Sequence, residues 1–247
     1  MFEVNKEQLV YLQQKYITSC PLCKGARILE VNTPTGIQYT KCSCVLKFNE
    51  IYSLVQANIP VHFHDTLDMD PEYKNANRGN LEKLAKYRNK LAWALERGVG
   101  LFIQGHNGAG KSYLGVAVLK KAIKEGHTAY FILLEDLINI GYNAMRNMDL
   151  RKELHEFITT VDFLMIDEID KMHIDRQDTT ISLLNSLLHA RYCAGKPLIV
   201  TSSTLKQELV SSSSLGIFNE RLLDLTFVGN NRSKILKSLE DELFKDE

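Results

Sequence analysis

The sequence predicts an α/β fold, a five-stranded parallel sheet with covering helices, preceded by a small cysteine-bearing module. Three observations lead there. Residues Gly105 to Ser112 read G-H-N-G-A-G-K-S directly after the apolar run Gly100-Leu-Phe-Ile-Gln104. Further on, a second apolar run, Val161-Asp-Phe-Leu-Met-Ile166, ends in Asp167-Glu168. Upstream of both, four of the five cysteines are paired as Cys20-Pro-Leu-Cys23 and Cys42-Ser-Cys44.

The first motif matches G-x-x-x-x-G-K-[ST], a loop whose backbone N–H groups cradle phosphates. Its glycines, Gly105, Gly108 and Gly110, allow backbone angles that side chains disfavour. A strand over 100–104 delivers the chain to the loop, and a helix begins near Lys111, running through Leu114, Val118, Leu119 and Ile123 toward Gly126. The helix N-terminus adds partial positive charge where phosphate would sit. Lys111 supplies a full charge and Ser112 a hydroxyl for Mg2+.

Asp167 and Glu168 emerge at the C-terminal end of a buried strand, where open parallel sheets bind ligands. That order and spacing assign Asp167 to Mg2+, directly or through water, and Glu168 to the attacking water. Together the motifs imply binding and hydrolysis of ATP. A nucleotide kinase fits less well, because no arginine-rich lid follows the loop.

Thirty basic and thirty acidic residues balance to zero, so any nucleic-acid contact must come from a local patch rather than a global field. No apolar run approaches bilayer length. Met1-Phe-Glu-Val-Asn-Lys6 lacks the apolar region of a secretory signal, which predicts a cytoplasmic protein with reduced thiols. There the cysteine pairs resemble a four-thiolate zinc site of Cys20, Cys23, Cys42 and Cys44, the second pair having one intervening residue where two are commoner. A disulfide or a redox C-x-x-C is the alternative. Cys193, alone near the end of an apolar helix, reads as a small buried side chain.

A helix is expected over 3–18, a hairpin at 28–31 and 37–40, and a helix over 45–57. A proline-bounded linker then holds His62 and His64, whose alternation fits a surface segment better than a metal site. From residue 80 a βαβ rhythm sets in. Helix 80–97 precedes strands at 100–104, 128–134, 161–166, 197–202 and 225–228. Helices around 135–147, 150–159 and 178–194 intervene, the last capped by Asp178. Residues 233–247 read as a charged terminal helix. The division expected is therefore 1–58 for an N-terminal module, 59–79 for a linker and 80–247 for an ATPase domain.

These motifs, with Ala57-Asn-Ile-Pro60, Phe63, Thr66-Leu-Asp68, Ile166-Asp-Glu-Ile169 and Asn219-Glu-Arg-Leu222, resemble AAA+ ATPases of the bacterial and phage helicase-loader group, DnaC/DnaI type, which neighbours the IstB-like proteins. The resemblance covers nearly the whole chain. It implies a loader that delivers a hexameric replicative helicase onto single-stranded DNA, docking it through the zinc-bearing N-terminus. It also implies phosphate-loop roles for Gly105, Asn107, Gly108, Gly110, Lys111 and Ser112. Arg221 would be an arginine finger completing a neighbour's ATP site in a self-associated assembly, and Arg232 a nucleotide-sensing arginine. Ser202 stands at the strand end where such proteins often carry an asparagine for the γ-phosphate. Lys171, His173 and Arg176 occupy the loop expected toward DNA. The alternatives are an IstB-like transposition ATPase partnering a transposase, and a zinc-anchored adaptor using ATP as a switch only.

Overall fold

The computed structural model describes residues 6–64, 69, 71–171, 177–205 and 220–229. The chain divides into two compact units, residues 1–65 and 66–247.

In the first unit, α1 (Lys6–Gln13) runs into a π-helical turn, Gln14–Thr18. Strands β1 (Ile28–Thr33) and β2 (Gly36–Lys41) form an antiparallel hairpin paired from Ile28↔Lys41 to Thr33↔Gly36. Helix α2 (Ser43–Gln56) follows, then a 3-10 turn, Val61–Phe63. Beside the hairpin, Ile17 and the four cysteines form one buried cluster, with Leu29, Val45 and Phe48 packed against it; Leu12, Ile51, Leu54, Ala57 and Ile59 are buried as well. A two-stranded hairpin with so little apolar cover is not independently stable, so the cysteine cluster must hold it.

The second unit opens with α3 (Pro71–Ala76), α4 (Arg78–Arg88) and α5 (Leu91–Arg97). It continues through β3 (Gly100–Gln104), α6 (Lys111–Lys124), β4 (Ala129–Leu133), α7 (Leu134–Arg146), α8 (Met148–Thr160) and β5 (Phe163–Asp167). Helix α9 (Gln177–Cys193), β6 (Leu198–Ser202) and β7 (Leu222–Thr226) complete the described elements. The five strands form one parallel sheet in the order β4-β5-β6-β3-β7. Strands β5 and β6 are buried throughout, as parallel strands covered on both faces must be. Helix α6 sets Leu114, Val118 and Leu119 into that cover.

Several boundaries differ from the sequence expectation. The helix expected over 80–97 breaks at Asn89-Lys90, asparagine favouring caps and turns over helix interiors. The last strand pairs at 222–226 rather than 225–228, because Gly100 to Gln104 of β3 align with Leu222 to Thr226. Asp178 lies inside the first turn of α9 rather than capping it. Asn147, which the sequence did not single out, caps α8 through its Oδ1, accepting from Asp149 N at 3.0 Å and Leu150 N at 3.2 Å. Cys193 is exposed, not buried, with Sγ 3.5 Å from His189 Nδ1. Residues 71–79, read from sequence as linker, fold onto the second unit. Tyr73 donates to Ala109 O at 2.6 Å, and buried Asn77 exchanges bonds of 2.8 Å with both the N–H and the carbonyl of Val228. The terminal stretch 233–247 lies outside the described residues.

Arg191 ties the strand-entry edge together. It is fully buried, and its guanidinium donates to Ile158 O at 2.8 Å, Val161 O and Asp162 O at 3.0 Å, and Pro197 O at 3.0 Å. Burial pushes its pKa down to about 9, which leaves it a cation at neutral pH. Arg191→Met would strip the donors from four carbonyls and should cost about 3 kcal/mol or more. Urea unfolding followed by Trp93 fluorescence tests this, since the sole tryptophan lies in the second unit. A loss under about 1 kcal/mol would contradict the role.

Candidate functional site

Parallel pairing brings the C-terminal ends of β3, β5 and β6 to one edge of the sheet. There the loop 105–110 leaves β3, with Gly105 N–H donating to Ser202 O at 3.2 Å. A side chain at Gly105 has no room, because an added Cβ would fall 2.3 Å from Phe227 O. Gly110 takes φ +80 as N-cap of α6, a left-handed turn that points the following N–H groups into the loop. Lys111 Nζ reaches back across the loop to His106 O at 3.0 Å. Burial lowers its pKa, while the carboxylates of Asp170, Asp167 and Glu168 act to raise it.

Asp167 is the last residue of β5 and is buried at 4% exposure. Its Oδ1 accepts from Ser112 Oγ at 3.0 Å and from the Thr201 hydroxyl. Burial is the largest influence on this carboxyl and pushes its pKa up; the Thr201 and Ser112 bonds oppose that, and the Glu168 charge adds to it. A buried carboxylate beside a hydroxyl is a hard oxygen donor set of the kind Mg2+ takes while keeping several waters. Ser112 and Asp167 thus fit the ion that accompanies a nucleoside triphosphate.

Glu168 adopts φ +58, uncommon for a non-glycine residue, and its N–H is held by Thr201 Oγ1 at 3.0 Å. This turn lifts its carboxylate out of the strand line to meet Lys171 Nζ at 2.7 Å. Thr201 therefore fixes both acids at once, a role the sequence did not single out. It follows from the β5–β6 register, Ile166 opposite Val200, which sets residue 201 beside Asp167.

Ser202 lies in the same array, but its hydroxyl is committed to Thr204, donating to the carbonyl at 2.8 Å and accepting from the N–H at 2.9 Å. Its neighbour Ser203, just past the end of β6, meets Asp170 instead, its N–H donating to Oδ1 at 3.1 Å and its hydroxyl pairing with Oδ2. Of the three residues expected near DNA, Lys171 is ion-paired to Glu168, while His173 and Arg176 lie outside the described residues, as does Arg232.

Arg221 sits at the opposite edge. It immediately precedes Leu222, which pairs with Gly100 at the start of β3, whereas the phosphate loop follows Gln104. Five residues of strand rise roughly 13 Å, beyond the reach of an arginine side chain. Arg221 cannot serve its own loop.

In the first unit, the four cysteine Sγ atoms lie within 4.8 Å of one another, with Cys20–Cys42 at 3.8 Å and Cys23–Cys44 at 3.5 Å. Such spacings are too long for disulfides. They approach the ~3.8 Å edge of a tetrahedron with Zn–S bonds near 2.3 Å. After Cys23 the chain turns through Lys24, Gly25 and Arg27 at positive φ. Burial pushes the thiol of Cys23 up, but the N–H groups of Arg27 and Gly25 and the neighbouring thiols win and lower its pKa; burial and its neighbours raise that of Cys44. Cys23 and Cys44 are thus driven in opposite directions within one buried cluster, and a dication suits four such sulfur donors. His62 and His64 stand apart, His64 Nε2 lying 2.9 Å from Ile59 O and the His62 ring against Phe63.

Residues 51–212 match the family described as IstB-like ATP binding protein. The chain is 28% identical over 161 residues to the "Insertion sequence IS5376 putative ATP-binding protein" of Geobacillus stearothermophilus, covering 62% of each. It is 31% identical over 98 residues to the "Insertion sequence IS21 putative ATP-binding protein" of Pseudomonas aeruginosa, covering 40% of this chain and 36% of that one. The match therefore spans less than two thirds of either relative. Among solved structures, that of the DnaC helicase loader superposes with a TM-score of 0.52 at 22% identity, over 64% of this chain and 100% of that one. AMPPCP-bound DnaA from Aquifex aeolicus gives 0.52 at 21% identity, over 70% and 56%. These likenesses show that the second unit has the AAA+ P-loop fold.

Two measurements probe the centres. Because the folded pKa of Asp167 is raised, its charge costs stability at neutral pH, a cost relieved as pH falls through that pKa. Asp167→Asn should therefore raise the nucleotide-free melting temperature at pH 7, less so at acid pH, and abolish the further rise on adding Mg2+ with ATP. An undiminished Mg2+-dependent rise would contradict the assignment. Elemental analysis should find one zinc per chain, lost in Cys20→Ser/Cys23→Ser together with the hairpin's circular dichroism; a folded, metal-free native protein would refute the four-cysteine site.

Proposed function

Since the chain belongs to the IstB-like ATP-binding proteins, we propose that it is an ATPase whose sites are shared between subunits and which delivers a replicative helicase onto single-stranded DNA. The observation that carries the ATPase reading is the clamp of Ser112, Asp167, Thr201 and Glu168 beside the phosphate loop. In it, Gly105, Asn107, Gly108, Gly110 and Lys111 hold the phosphates. Ser112 and Asp167 would hold Mg2+, which would supply positive charge against the phosphates. Glu168 orients and deprotonates the attacking water, and Lys171 decides when that carboxylate is available. Arg221, unable to meet its own loop, is offered to the neighbour's γ-phosphate.

The loader reading is supported by what precedes the family match. The cysteine module is appended ahead of residue 51, and its hairpin presents Ile28, Ile37 and Tyr39 exposed on one face. That face also carries Glu30, Asn32 and Lys41, and apolar side chains exposed among charges suit a protein partner. A second reading, regulation of a transposase, is favoured by the two curated relatives, both named for insertion sequences.

Capture experiments separate them. Full-length protein carrying Glu168→Gln, with ATP, should retain the replicative helicase of its host and bind single-stranded DNA better than duplex. Retention of a transposase and preference for duplex would select the second reading. Lys111→Ala should abolish ATP binding in either case, and retained micromolar affinity would contradict the phosphate-loop assignment.

A further inference from the structure

At the strand-entry edge, Arg221 is gripped by its neighbour in the fold, Tyr192. The guanidinium carbon of Arg221 stands 4.0 Å from the centroid of the Tyr192 ring, and its Nη1 donates to the Tyr192 carbonyl at 3.2 Å. One residue thus fixes Arg221 twice, through a ring face and through a backbone acceptor. Tyr192 is itself held, since it follows Arg191 in α9 and the buried Arg191 guanidinium bonds the ends of α8 and the starts of β5 and β6. Gly98 and Gly195 close the floor: a Cβ at Gly98 would meet Gly195 O at 2.8 Å and Arg221 Nη1 at 3.4 Å. A guanidinium carries more N–H donors than the Tyr192 carbonyl takes up, so a planar fork remains to receive an anion from another molecule.

We propose that Tyr192 is the positioning residue for Arg221, a rigid platform that presents the guanidinium to the phosphates of a second copy of this chain. The inference rests on the shared-site reading above. An arginine has several rotatable bonds, and freezing them before association removes an entropy cost from the transition state. Tyr192 touches no nucleotide of its own subunit, so its substitution should lower kcat and leave the KM for ATP in place.

Mixed assemblies of full-length protein test this. Arg221→Ala subunits keep their own phosphate loop and Glu168 but offer no guanidinium. Glu168→Gln subunits offer Arg221 but do not hydrolyse. Mixing the two should restore turnover at the Arg221→Ala sites. A donor carrying Glu168→Gln with Tyr192→Phe should restore it equally, because ring and carbonyl remain. A donor with Tyr192→Ala, or with Tyr192→Leu where alanine destabilises the fold, should restore it about 10-fold less or worse. If the plain Glu168→Gln donor restores nothing, the shared-site reading fails and this proposal with it. If all donors restore turnover alike, Arg221 acts in trans without its platform and only this proposal is overturned.

Discussion

One buried carboxylate governs the geometry of the site. Asp167 ends β5 below the surface, where its charge is tolerated only because Ser112 and Thr201 donate to it. Those two hydroxyls come from α6 and β6, so the bond set fixes helix, strand and phosphate loop relative to one another. Thr201 then passes the constraint on by holding the N–H of Glu168, whose left-handed turn aims the second acid. Without nucleotide chemistry this arrangement makes little sense as a device for stability. A buried acid with a raised pKa is a cost to the fold, and such groups cluster at functional sites.

The two units solve stability differently. The second buries a parallel sheet under helices and closes its strand-entry edge with the Arg191 guanidinium. The first has a hairpin exposed along most of both strands, beside a buried cluster in which four thiols meet. For such a segment, a metal held by the four cysteines would couple binding to folding. The family match begins at residue 51, within α2, so the cysteine module stands outside it.

Much of this was legible in the residues. The phosphate loop, Asp167-Glu168 and the paired cysteines announce themselves because their chemistry demands particular side chains at short, fixed spacing. Strand β3 coincides with its expected bounds for the same reason, being locked to the loop that follows. What stayed hidden depends on pairing across long separations. Thr201 matters through the β5–β6 register, and the Ser202 hydroxyl turns to Thr204 while Ser203, past the strand end, meets Asp170. Arg221 stood out through Asn219-Glu-Arg-Leu222, but Tyr192 meets it only after α9 and β7 have been placed in the sheet, and no local pattern marks Tyr192. The burial expected of Cys193 failed because a helix end is judged by its neighbours in space, not by its own apolar run.

The separation of Arg221 from the phosphate loop along β3 carries a geometric consequence. Two copies related by a two-fold axis could exchange guanidinium for loop in both directions, since residue i of one then meets residue j of the other and the reverse. Copies that shared sites head to tail would instead form a polar array. Unless such an array closes on itself, one terminus bears an uncompleted loop and the other an unused guanidinium, so its two ends are chemically unlike. Growth and disassembly from those ends then acquire a direction, set by nothing more than the parallel sense of five strands.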